Sequence, residues 1–423
     1  MNQQDACTRA AAISFRQLRV FETIGRVKSV RQAADECNVS QPAVTQALFR
    51  LEELAGVALV DRSSSGSYLN RYGTMFAGRV QRFFTQAEAA LLDLGFVATR
   101  AEGRVMFNRL TRSQVRALIA IVERGSFAEA ADSLQLTQQS MHKSMRDLEG
   151  NIRKTVCYRT AAGTLVSHAG TELARRMKLA QQEIEWGIKD LDAEHGRSDA
   201  QISVGAKSFG GSMILVSVLE DFLKLHPNAD MRITHGNSAE MNPRLRSGDV
   251  DCVLGLLARQ PAPDFVAEAI ARTPYIVVGR RRHPLLSRPR ITVDDLRQYP
   301  WVVGAPGSSR RTCFESIFGG DPPPMPLATC SLTVIRHLLE TTDRLTLMTS
   351  YELEHERAHL EAIPFNAVGP APAIGITTRA NWMPTKLHLD FMAVVRKHMV
   401  YSLMRGSIRE VGQDNPPTSR MLA

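Results

Sequence analysis

The 423-residue sequence is short of the features that mark several broad protein classes. No stretch approaches the roughly 18 consecutive apolar residues that a membrane-spanning helix needs. The first dozen residues carry Asp5 and Arg9 where a secretory leader would have an apolar core. The expectation is a soluble, cytoplasmic chain that works away from membranes. Six cysteines, Cys7, Cys37, Cys157, Cys252, Cys313 and Cys330, form no CxxC pair and keep no regular spacing, so neither a zinc site nor a disulfide framework is suggested. Gly-x-Ser-x-Gly, a phosphate loop ending in Gly-Lys-Ser/Thr and His-Glu-x-x-His are all missing. No catalytic residue, metal ligand or cofactor is expected, and the chain reads as a binding protein rather than an enzyme.

What is present begins with charge. The formal net charge is +9, and residues 1–198 hold 27 Lys and Arg against 21 Asp and Glu. An excess of that size points to a polyanionic partner only when a motif stands beside it.

The motif is a repeat. Residues Val30 to Glu52, VRQAADECNVSQPAVTQALFRLE, return as FAEAADSLQLTQQSMHKSMRDLE from Phe127 to Glu149. A constant offset of 97 carries Ser29, Ala33, Ala34, Asp35, Gln41, Leu51 and Glu52 onto identical residues. The match runs on through Arg62, Gly66, Gly73, Thr74, Ala77 and Arg79, so a unit of about a hundred residues is duplicated.

Within each copy the apolar residues have helical spacing. Val30, Ala33, Ala34 and Cys37 form one stripe, and Val44, Ala47, Leu48 and Leu51 the next; Phe127, Ala130, Ala131 and Leu134, then Met141, Ser144, Met145 and Leu148, are their counterparts. Asn38 and Val39 make a tight turn between the two helices. Ser40 is placed to cap the second, with Pro42 tolerated in its first turn, and Thr137 is the matching cap. Two helices joined by a short turn, the second polar on its outer side, make a helix-turn-helix. That outer side offers Gln41, Thr45, Gln46 and Arg50 in copy one. In copy two it offers Gln138, Gln139, His142, Lys143 and Arg146. Gln and Arg can make paired hydrogen bonds to base edges in the major groove, while Thr and Lys commonly hold phosphates. The partner implied is double-stranded DNA.

Past each outer helix, VALVDRSSSGSYLNRYGT (Val57 to Thr74) and KTVCYRTAAGTLVSHAGT (Lys154 to Thr171) give two short apolar pieces around a turn, as a wing would. Arg62 and Arg159 stand where such a wing could reach a phosphate. Through SVRQAADECNVSQPAVTQALFRLEELAGVALVDR, copy one resembles the winged helix-turn-helix of LysR-type transcriptional regulators. The resemblance rests on the Ala-Ala pair, on Ser40-Gln41-Pro42-Ala43 opening the outer helix and on Leu51-Glu52 at its end. Copy two departs from it at Gln139, Ser140 and Arg153, which replace Pro, Ala and Gly56.

Each winged unit is followed by an amphipathic helix. Its seam is Phe76, Val80, Phe83, Ala87, Leu91 and Leu94 in copy one, and Leu173, Met177, Ala180, Ile184, Ile188 and Leu191 in copy two. In the resembled family the corresponding helices pair antiparallel between subunits, so two linker helices in one chain imply a pseudo-dimer with unlike halves. The other reading makes copy two a scaffold that reads no DNA.

After HGRSDA (His195 to Ala200) strand and helix patterns alternate, which argues for a doubly wound α/β domain. LEDFLKLHPNADMRITHGNSAEMNPRLRSGDVDCVLGL resembles the two-lobed, periplasmic-binding-protein-like regulatory domain of the same family. AKSFGGS (Ala206 to Ser212) and GAPGSSRR (Gly304 to Arg311) sit at strand-to-helix turns, where helix N-termini favour anions and Lys207 would add charge. The resemblance implies a small, anionic effector held by Ser208, Ser212, Asn237, Ser238, Ser308 and Ser309, and a homo-oligomer, dimer or tetramer. An alternative is a thiol switch at Cys313 and Cys330, with Arg310 and Arg311 lowering the pKa of Cys313. The fold expected is α/β overall. It has a tail at 1–13, winged helix-turn-helix domains at 14–75 and 109–172, linker helices at 76–105 and 173–196, a two-lobed effector domain at 200–405 and a tail at 406–423.

Overall fold

The structure, a computed structural model, describes residues 6–64, 66–160, 163–196, 201–207, 210–304, 306–325, 327–329, 331–366 and 369–404. The chain divides into two compact units, Met1–Ala200 and Gln201–Ala423.

The first unit contains one element order twice. Copy one is α1 (Ala6–Ala12), α2 (Phe15–Val27), α3 (Val30–Glu36), α4 (Gln41–Ala55), β1 (Val60–Ser63), β2 (Gly66–Leu69) and α5 (Arg71–Asp93). Copy two is α6 (Arg100–Phe107), α7 (Arg112–Arg124), α8 (Phe127–Ser133), α9 (Gln138–Ile152), β3 (Cys157–Thr160), β4 (Gly163–Val166) and α10 (His168–Glu194). Local chemistry repeats at the same offset. Ser14, Ser29, Ser40 and Asn70 cap α2 to α5, and Thr111, Ser126, Thr137 and Ser167 cap α7 to α10. The left-handed turn residues repeat as well. Asn38 (φ 52°) answers Gln135 (φ 55°), and Gly56 (φ 73°) answers Arg153 (φ 53°), which adopts at the end of α9 a conformation that glycine takes without strain.

Three expected boundaries are corrected, and the second linker, expected over 173–196, runs from His168 to Glu194. Residues 6–12 of the expected tail form α1, which packs on α10, just as α6 packs on α5. The linker expected over 76–105 starts at Arg71 and stops at Asp93. Gly95 turns left-handed (φ 68°), and a reciprocal capping box between Thr99 and Glu102 opens α6 as a separate helix.

Helices α5 and α10 lie antiparallel. Ion pairs join Arg71 to Glu194, Arg79 to Asp190 (2.9 Å) and Arg176 to Asp93 (2.6 Å), so the low end of one helix faces the high end of the other. The last two pairs exchange under the offset of 97, as a pseudo-two-fold relation between the copies requires. One apolar core runs through both copies and includes Leu18, Leu48, Phe83, Leu118, Leu148 and Ile184.

The second unit is built on two sheets. Its elements are β5 (Gln201–Lys207), α11 (Gly210–Leu225), β6 (Asp230–Gly236), α12 (Ser238–Ser247), β7 (Cys252–Leu256), β8 (Phe265–Arg272), β9 (Tyr275–Arg280), α13 (Val293–Arg297), α14 (Ser309–Ile317), α15 (Leu332–Thr341), β10 (Thr346–Thr349), α16 (Ser350–Glu356), β11 (Leu360–Ala362), β12 (Ala373–Arg379) and α17 (Lys386–Met404). The first sheet has the order β6-β5-β7-β12-β8, with β5 parallel to both β6 and β7 and β12 antiparallel to its neighbours. The second has the order β10-β9-β11. The chain leaves the first sheet after β8 and returns at β12, giving two lobes in a mixed α/β domain. Asp251, in Gly248-Asp249-Val250-Asp251 before β7, is buried and accepts the Ser203 N–H at 2.8 Å; His388 lies 3.2 Å away. Burial opposes the charge of Asp251, yet these partners hold its carboxyl below the usual range.

Candidate nucleic-acid interface

Copy one presents its outer helix on a firm base. Ala33, Ala34, Val44, Leu48 and Leu51 are buried beneath it, and the Ser40 hydroxyl accepts the Ala43 N–H at 3.4 Å. Gln41, Pro42, Gln46, Phe49 and Arg50 are exposed, and Thr45 is half-buried. Gln41, Pro42, Thr45, Gln46 and Arg62 line one shallow depression with Val30 and Phe49. Arg50 is outside that lining and pairs with Glu53 at 2.9 Å. Sequence reading passed over Phe49, because a search for hydrogen-bonding side chains ignores it. The available signal was an aromatic residue standing off the apolar stripe.

The wing is held by the helix it accompanies. Glu52 Oε1 accepts the N–H groups of Leu59 (2.8 Å) and Val60 (3.1 Å), and Glu149 Oε1 accepts those of Val156 (2.8 Å) and Cys157 (2.9 Å). Arg62 stands opposite Ser67 in the β1–β2 hairpin. Arg159 stands opposite Thr164 in β3–β4, and its side chain lies outside the described residues.

Copy two shares the scaffold and changes the surface. Thr137 caps α9 through the Ser140 N–H at 3.2 Å, and Gln138, Gln139, Lys143 and Arg146 are exposed. His142 is half-buried, its ring stacked on Phe127 with 4.2 Å between centroids. Its depression is lined by Phe127, His142, Met145, Arg146, Glu149, Cys157 and Tyr158. Through the offset, Gln41 meets Gln138, but Pro42, Thr45, Gln46, Phe49 and Arg50 meet Gln139, His142, Lys143, Arg146 and Asp147.

In the second unit, most of the expected effector residues have internal partners. Lys207 Nζ donates to the Leu256 carbonyl at 2.9 Å, and burial lowers its pKa. Ser212 Oγ lies 3.2 Å from His235 Nδ1. Asn237 caps α12, accepting the Ala239 and Glu240 N–H groups, and Ser238 is exposed in its first turn. Ser308 caps α14, and Ser309 Oγ is 2.9 Å from the Tyr275 hydroxyl. Lys207 pairs in register with Gly236, which brings Lys207 and Asn237 to neighbouring strand ends. Ser208 lies outside the described residues, as does Cys330. The expectation for Cys313 is reversed: burial pushes its thiol up to about 11, outweighing the nearby Arg310. Among the described residues no group of three or more His, Cys, Asp or Glu is placed to hold a metal ion, and no helix is long and apolar enough to cross a membrane.

Two family models fit this arrangement. That for the bacterial regulatory helix-turn-helix protein, lysR family, matches residues 15–74 and again 113–171; that for the LysR substrate binding domain matches residues 195–400. The chain belongs to the LysR family. It is a DNA-binding transcriptional regulator with an effector-binding domain. The HTH-type transcriptional regulator GalR of Pseudomonas putida is 28% identical over 387 residues, which cover 90% of this chain and 96% of that one. The HTH-type transcriptional regulator CfxR of Cupriavidus necator is 28% identical over 210 residues, covering 49% of this chain and 65% of its own. Among solved structures, a full-length OxyR variant from Pseudomonas aeruginosa shares the fold with a TM-score of 0.50 and 16% identity, covering 67% of this chain and 97% of that one.

Proposed function

We propose that this LysR-type regulator reads two unlike DNA half-sites with a single chain. Gln41, Pro42, Thr45, Gln46, Arg50 and the wing residue Arg62 serve one half-site, with Ser40 setting the helix start. Gln138, Gln139, His142, Lys143, Arg146 and Arg159 serve the other, behind Thr137. One observation carries this reading: the copies keep caps, turns and wing tethers at the same positions and an arginine on each wing, yet on the outer helix their outward positions differ everywhere but at Gln41 and Gln138. Exposed Gln138, Lys143 and Arg146 give the outer helix of copy two side chains able to bond base edges or phosphates. Asp147, in the place of Arg50, favours the scaffold reading instead.

Selection from a random DNA library separates the two. The intact protein is compared with one carrying Gln138→Ala, Lys143→Ala and Arg146→Ala. Loss of one half of the selected motif supports reading by both copies, and an unchanged motif makes copy two a scaffold. Arg62→Ala should weaken binding to all sequences alike and lower the salt slope by about one, as expected of a phosphate contact.

The second unit is proposed to hold a small anionic effector near Lys207, Ser212, Asn237 and Ser238 of one lobe and Ser308 and Ser309 of the other, with Ser208 named by resemblance alone. Effector binding would bias one lobe arrangement and so the spacing of DNA-reading units in a homo-oligomer. Thermal shift against carboxylates, phosphates and matched cations tests the charge preference. Stabilisation by cations alone would reject it.

A further inference from the structure

Phe49 is 62% exposed, the most exposed aromatic residue among those described, and it stands on the outer helix of copy one. It follows Gln41 and Thr45 at intervals of four and lines the same depression as Gln41, Thr45, Gln46 and Arg62. Its neighbours on that face can hydrogen-bond to base edges or phosphates, and a phenyl ring cannot. One base alone offers the major groove an apolar group, the 5-methyl of thymine. We propose that Phe49 is a specificity-determining residue that packs on a thymine methyl in the half-site of copy one. The inference rests on the reading that α4 enters the major groove.

Two further observations fit. Thr45 lies one turn before Phe49, about 6 Å along the helix axis, less than two base steps of about 3.4 Å, so neighbouring bases are within reach of both side chains. Copy two places Arg146 at the equivalent position, exposed and able to bond guanine or a phosphate. The two half-sites are therefore distinguished at this position by chemistry, apolar in one and cationic in the other, and the operator has a direction.

The test uses the full chain. After an operator is selected from random DNA, each thymine is replaced in turn by deoxyuridine, which removes the methyl and nothing else. Affinities are measured at one salt concentration for the wild type, Phe49→Ala and Phe49→Leu. Burying one methyl-sized group is worth about 0.8 kcal/mol, or about fourfold in affinity. The expected result is one thymine, in one half of the operator, whose replacement weakens wild-type binding about fourfold and leaves Phe49→Ala unaffected, with Phe49→Leu between them. The inference is overturned if no thymine is sensitive, or if sensitivity is the same in Phe49→Ala. The underlying reading fails differently, with no sequence enriched or with an enriched sequence indifferent to Gln41→Ala and Gln46→Ala, and either result removes this inference with it.

Discussion

Gln86 donates from Nε2 to Glu183 Oε1 at 2.9 Å, and positions 86 and 183 are the same position of the duplicated unit. Glu183 also accepts from Arg79 and Arg82, each at 3.0 Å, with its side chain 2% exposed. Pairing two copies of α5 would set Gln86 against itself and leave Arg79 and Arg82 without that carboxylate. Pairing two copies of α10 would bring two buried Glu183 side chains together. Only the unlike pairing of α5 with α10 gives the buried guanidinium of Arg79 the Glu183 carboxylate beside that of Asp190, and a buried charge that loses a partner is costly. Glu183→Gln is expected to destabilise the first unit by about 3 kcal/mol. Faster amide exchange in α5 and α10 of the full chain would register it, and unchanged exchange would mean that the cluster contributes little.

Size complementarity at the same seam gives a second prediction. A Cβ added at Gly187 would lie 2.8 Å from the Phe76 ring, and Phe76 is fully buried. At the equivalent positions stand Ala90 and Leu173, a larger residue on one side and a smaller one on the other. Gly187→Ala should therefore cost about 1 to 3 kcal/mol through overpacking, despite the better helix propensity of alanine. Phe76→Leu combined with Gly187→Ala copies the Leu173–Ala90 arrangement and should recover most of the loss. A denaturation cycle over the two single changes and the double change measures the coupling, and additive effects would remove the seam from the explanation.

The duplicated unit was legible because its signals are local. Apolar spacing, Ser and Thr caps and the Ser-Gln-Pro-Ala opening each act within one or two helical turns. The first helix was not legible: Ala6–Ala12 is too rich in alanine to display an apolar stripe, and its place is set by packing on α10 and by Arg9, which pairs with Asp192 more than 180 residues away. The break between α5 and α6 was hidden because Leu94 continues the seam while Gly95 turns the chain. At the effector residues the sequence located strand-to-helix turns, but hydroxyls and amides that can bind a ligand can also cap a helix. For Asn237 and Ser308 the structure identifies the cap.

The wing tethers give a third prediction. Glu52 satisfies two backbone N–H groups at the base of the wing, and each charge-assisted bond of this kind contributes roughly 1.5 to 3 kcal/mol. Glu52→Ala is expected to free the β1–β2 hairpin, speed amide exchange at Leu59 and Val60, and weaken operator binding about tenfold through the misplaced Arg62. Glu52→Gln keeps the oxygen acceptor without the charge and should fall between. The same change at Glu149 acts on the wing of copy two. Loss of affinity there, measured on the selected operator, would follow only if that wing also touches DNA.

The last prediction concerns the thiols. Burial raises Cys313 to about 11, so at pH 8 about one molecule in a thousand carries the thiolate, and the reactive form grows tenfold with each unit of rising pH until it nears that value. Cys157 is pushed up to about 12 by burial, and burial raises buried Cys252 further still. Cys7 is exposed. Limited alkylation of the folded full chain at pH 8, read by peptide mass, should label Cys7 well before Cys313, Cys157 or Cys252. Peroxide at concentrations that leave Cys313 reduced should leave DNA affinity unchanged, and Cys313→Ser should bind and respond as the wild type does. Early labelling of Cys313, or a peroxide response abolished by Cys313→Ser, would restore the thiol-switch reading that the raised pKa of this half-buried thiol argues against.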